Sequence, residues 1–97
     1  MDRLEYRQQS TLQSGDRIGS FVADGYGDTG WDDGPEIQFH AEENWIGGTR
    51  GASISFRTIA IGASGTTLAI KIDHNGDVGI GTTSPQGKLD VNAIALR

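Results

Sequence analysis

The sequence predicts an all-β chain, and three observations carry that expectation. Apolar residues recur with period two in short runs, glycine-rich turn signals separate the runs, and no segment shows a three-to-four-residue apolar stripe. Strict alternation of this kind places every second side chain on one face of a strand.

Each element follows in order. "RIGSFVAD" (17–24) carries apolar residues on both faces, Ile18 and Val22 against Phe21 and Ala23. "EIQFHAEE" (36–43) alternates cleanly, with Ile37, Phe39 and Ala41 against Gln38, His40 and Glu42. "ASISFRTIAIG" (52–62) sets Ile54 and Phe56 on one face and then shifts to Ile59 and Ile61. "TLAIKID" (67–73) gives Leu68, Ile70 and Ile72; "DVGIG" (77–81) gives Val78 and Ile80; "KLDVN" (88–92) gives Leu89 and Val91. The expected topology is an antiparallel meander of short strands over residues 1–81, with 82–97 as a connector and an exit strand or helical neck. The segment "DGYGDTGWDDGP" (24–35) reads as a loop, because glycine and aspartate dominate it.

Composition limits the core. Of 97 residues, 35% are hydrophobic and 15 are glycine, so a lone copy has little to bury. There is no cysteine to staple it, which leaves metal or self-association as support. The net charge of −5 argues against a nucleic-acid partner. No apolar run approaches the roughly 20 residues that span a bilayer, so no membrane insertion is expected. The amino terminus has no secretory signal pattern, and the absence of cysteine fits synthesis in a cytoplasm.

The stretch "IDHNGDVGIGTTSP" (72–85) invites two ligand readings, and both fail. A calcium loop of the EF-hand type wants glycine at position six and glutamate at position twelve, where Val78 and Ser84 stand. A phosphate cradle wants Lys-Ser/Thr or a third helix-opening glycine, and neither follows. Asn75-Gly76 between alternating apolar residues instead signals a hairpin. Gly79 and Gly81 alternate with Val78 and Ile80, a pattern expected where another backbone approaches closely, here a neighbouring chain.

The acidic segment holds Asp24, Asp28, Asp32, Asp33 and Glu36. A bound cation and a solvated loop are both open readings, the second favoured. An acid pair such as Asp28 and Asp32 would suit a glycoside hydrolase, but a short meander offers little cleft, so no enzyme is expected. Tyr26, Trp31 and Trp45 lie in or beside loops, where a flat aromatic face suits a sugar ring and burial competes for at least one of them. His40 and His74 are isolated, and no metal or other cofactor is expected from one chain.

The segment "IDHNGDVGIGTTSPQGKLDV" (72–91) resembles one recurrent in bacteriophage tail fibres and related adhesins. "SGDRIGSFVADGYGDTGW" (14–31) and "RGASISFRT" (50–58) resemble upstream strands of the same family, so the likeness spans about Ser14 to Val91. Leu68 to Ile72 departs from the family's charged run, and the self-cleaving activity of the chaperone domain that follows in many relatives is not carried over to these residues.

The resemblance implies a fibrous homotrimer, joined to the remainder of a fibre or tail. Val78, Gly79, Ile80, Gly81, Leu89 and Val91 are then the expected contacts between copies. Tyr26, Asp28, Trp31, Asp32 and Trp45 are the expected receptor contacts, against a bacterial surface glycan or protein. The implied location is the virion, acting outside the cell after assembly in a host cytoplasm. A stand-alone glycan-binding module, calcium-aided or not, is the alternative; a polysaccharide depolymerase fragment is a more distant one.

Overall fold

A computed structural model describes residues 10–92 of the chain. They form one six-stranded sheet with strands in sequence order, and among them there is no helix. The strands are β1 (Arg17–Gly27), β2 (Gly30–Ala41), β3 (Ala52–Thr58), β4 (Thr67–Ile72), β5 (Val78–Ile80) and β6 (Leu89–Val91). Pairing is antiparallel from β1 to β5. The all-β expectation therefore holds.

Two features depart from the expected meander. The glycine-rich stretch 24–35 is not a loop. It is the outer half of the β1–β2 hairpin, paired through Asp24–Asp33, Gly25–Asp32, Tyr26–Trp31 and Gly27–Gly30, with only Asp28 and Thr29 in the turn. The last pairing is the second departure: β6 runs parallel to β5. A parallel neighbour needs a crossover, normally a long one. Strands of three residues are only about 10 Å long, so residues 81–88 suffice to return the chain. Residues 93–97, over which the exit strand or neck was expected to continue, lie outside the described residues.

The β4–β5 connection follows the Asn-Gly signal, in a wider form than a two-residue turn. The Asp73 carboxylate accepts from the Asn75 and Asp77 amides at 2.9 and 3.1 Å. Gly76 takes the left-handed backbone that closes the loop, at φ +81°.

The β2–β3 loop is also self-bonded. Trp45 Nε1 donates to the Gly51 carbonyl at 3.1 Å, and the Glu43 carboxylate accepts from the Gly51 amide. The Trp45 amide donates to the Leu12 carbonyl, and Gly15 and Asp16 bond to Ala41, which ties the lead-in segment to the same end of the sheet.

The sheet is a slab a single layer thick, 48 × 42 × 14 Å. Among the described residues no second layer covers it. Among the described residues Ala41 is the one buried hydrophobic side chain, and no large side chain is fully buried. Domains ordinarily pack two layers around a core. The described residues form one.

Candidate functional site

Cross-strand partners share a face of a sheet, so the register sorts the side chains. One row across all six strands reads Phe21, Ile37, Phe56, Ile70, Ile80, Val91. The next reads Gly19, Phe39, Ile54, Ile72, Val78, Leu89. Every member of both rows is apolar or glycine. The row between them reads Ser20, Gln38, Ser55, Lys71, Gly79, Asp90 and faces the other way. The sheet is thus amphipathic, with two adjacent apolar rows on one face.

Among the described residues nothing packs over that face. Leu89 is 64% exposed, Phe21 43% and Ile80 40%. The others in the two rows are half-buried by their neighbours on the same face. Toward β1 the face dips into a hollow of about 530 Å³ whose walls include Phe21, Pro35, Ile37 and Phe56.

Four of the six residues expected between copies, Val78, Ile80, Leu89 and Val91, fall on this face. The two glycines do not act as expected. Gly79 is buried on the polar side beneath its own chain: a Cβ there would meet Thr82 Cγ2 and O at 2.9 Å and Pro85 Cγ at 3.2 Å. The close approach at Gly79 is the chain's own Thr-Thr-Ser-Pro crossover. Gly81, at φ +77°, starts that crossover. The Val78 amide donates to the Lys88 carbonyl and the Asn92 amide to the Ile80 carbonyl, each at 2.9 Å, which docks β6.

The polar face has its own node at Glu42. Its carboxylate meets Ser53 Oγ at 3.0 Å, Lys71 Nζ at 3.3 Å and His74 Nδ1 at 3.2 Å. Burial alone would push Glu42 up, but the bonds from His74, Ser53 and Lys71 outweigh it and hold its pKa below the ordinary glutamate value. Nearby His40 is pulled below its ordinary value by burial and then by the positive charges of Arg17 and Lys71. No sequence spacing pointed to Glu42, because its partners come from three separate segments.

The expected receptor residues divide. Tyr26 and Trp31, 74% and 69% exposed, pack edge to face at the hairpin's outer end, with ring centroids 5.3 Å apart. Asp28 is exposed in the turn, and Asp32 in β2 is exposed beside them. A recess of about 550 Å³ opens next to Trp31, walled by Asp32 and Asp33 and, from the β3–β4 side, Ile59, Ala63 and Ser64. Trp45 is elsewhere, half-buried in the β2–β3 loop with its indole N–H committed to Gly51. The carboxyls brought into register are Asp24 and Asp33 rather than Asp28 and Asp32. The hydrogen bond and charge of Asp24 raise the Asp33 pKa. Among the described residues no three of His, Asp and Glu converge as a metal site.

The residues missed by sequence reasoning as candidate contacts between copies are Phe21, Ile37, Phe39, Ile54, Phe56, Ile70 and Ile72. Their alternation within each strand was visible; their alignment across strands depends on register. Compared with known proteins, the chain matches no family model and no curated protein.

Proposed function

We propose that the chain is a structural and adhesive module of a trimeric phage tail fibre. Three copies close their apolar faces about a common axis and present their outer hairpins to a host surface. The observation that carries this reading is the pair of apolar rows running uninterrupted across a single-layer sheet. A continuous apolar patch open to water marks an interaction surface. Burying on the order of 400 Å² of it per chain stabilises by about 10 kcal/mol before entropy, comparable to the whole stability of a small domain.

The choice of three copies and of a fibre rests on the likeness of residues 72–91 to tail-fibre sequences. A trimer also strengthens a weak contact through avidity, by about 10²–10⁴ where the sites engage together. Cross-linking of the purified chain in dilute solution tests the assembly: bands ending at three copies are expected, and bands ending at one or two contradict it. A glycan-binding module that does not belong to a fibre is the second reading. The exposed Tyr26–Trp31 pair favours it, and it predicts glycan binding without trimer assembly.

A further inference from the structure

We propose that the recess beside Trp31 binds an uncharged sugar ring, a hexose or N-acetylhexosamine of a surface glycan. The inference rests on the adhesive reading above and names the ligand of its contact face.

Four observations point to this ligand class. First, Trp31 is 69% exposed and has a partner in Tyr26 opposite it, the two rings edge to face with centroids 5.3 Å apart. A flat indole is a platform for the C–H face of a sugar, and an aromatic anchor loses little entropy on binding.

Second, the wall of the recess is mixed. Asp33, which the register sets on the same side as Trp31, supplies carboxylate oxygens and Ser64 a hydroxyl, while Ile59 and Ala63 supply an apolar edge. Carboxylate oxygens only accept hydrogen bonds, which suits the hydroxyl donors of a sugar. The volume of about 550 Å³ lies inside the range of small-molecule sites, about 300–1,000 Å³.

Third, the charge selects. Asp24, Asp28, Asp32, Asp33 and Glu36 all lie on the β1–β2 hairpin, on a chain of net charge −5. A sialylated, uronic or phosphorylated glycan would be repelled there, which leaves an uncharged ring. The raised Asp33 pKa reflects the same crowding of acids.

Fourth, the site and the apolar face are on opposite sides. The irregularity between Val22 and Asp24 inserts its extra residue in β2, so β1 keeps its alternation and sets Val22, Asp24 and Tyr26 on one side. Val22 pairs with Glu36, which pairs with Arg57, so that side is the charged one. The recess therefore stays open when the apolar faces close.

The test uses the full chain carrying Trp45→Phe, so that Trp31 is its one tryptophan. It is applied to a printed array of neutral, N-acetylated and acidic glycans, and the best ligand is then titrated by tryptophan fluorescence. Binding is expected to neutral or N-acetylated rings, with a blue shift of Trp31 emission. Trp31→Ala, which leaves no tryptophan and is titrated by calorimetry instead, is expected to weaken binding by about tenfold or more, as truncation of a central aromatic anchor does. Asp33→Asn is expected to weaken it less, with the solution mass unchanged in both variants.

Three results would overturn the proposal: no glycan bound by a folded chain, a preference for acidic glycans, or undiminished binding by Trp31→Ala. A change of solution mass in Trp31→Ala would overturn it too, by placing the indole between copies. A chain that binds neutral glycans as a monomer supports this site while removing the trimer. An intact trimer that binds none removes this site alone.

Discussion

Gly79 lies directly under Thr82: a Cβ on the first would sit 2.9 Å from both Cγ2 and O of the second. The crossover that makes β6 parallel to β5 is possible because this position has no side chain. Gly79→Ala is accordingly expected to destabilise by about 1–3 kcal/mol, the cost of overpacking, in denaturant unfolding. Gly87→Ala is the control, since its added Cβ would meet nothing within 4 Å. Equal midpoints for the two variants would contradict the close approach.

Glu42 joins three segments through Ser53, Lys71 and His74. Glu42→Gln is expected to destabilise by about 1 kcal/mol, the net value of a hydrogen bond with a charged partner diluted by partial exposure. The pH dependence has a definite sign. The folded pKa is depressed, so this stability is present above the ordinary value of 4.5 and is lost as pH falls through the lower folded value. Unfolding midpoints measured from neutral to acid pH should fall in that window for the parent and less for Glu42→Gln.

His40 acts at a higher pH in the same direction. Burial and the charges of Arg17 and Lys71 lower its folded pKa, so the unfolded chain binds the proton first. Stability is full above the ordinary value of 6.5 and declines as pH falls below it. His40→Gln should flatten the upper part of the acid limb while leaving the Glu42 part in place. An unchanged slope between about pH 6.5 and the carboxylate range would contradict the buried, neutral imidazole.

Much of this architecture was legible in the sequence. The alternation in 36–43 and 67–73 placed β2 and β4, and Asn75-Gly76 placed the connection to β5. Three things were not legible. Residues 24–35 looked like loop because their composition opposes strand; pairing along a long twisted hairpin overrides that propensity. Gly79 announced a close approach but not its partner, since alternating glycines look the same beside a neighbour or beneath one's own crossover. The apolar face itself depends on register: Phe21, Ile37, Phe56, Ile70, Ile80 and Val91 are scattered over 71 positions and align only once the pairings are known. At the hairpin tip, Tyr26, Trp31 and Asp32 were visible as residue types, whereas the wall from 59–64 was not.

Association and folding should be one event, because a single layer has no core of its own. The melting temperature is then expected to rise with protein concentration, as for obligate oligomers. Phe56→Asp, in the centre of the apolar face, should abolish both the fold and the concentration dependence. Gln38→Lys, on the opposite face, should leave both. A melting temperature independent of concentration would separate folding from association.

The most direct test is the mass of the chain in solution by light scattering, at the lowest concentration that keeps it folded. Three times the 10.3 kDa chain mass is the predicted result. A folded particle of 10.3 kDa, its apolar face open to water, would contradict the account.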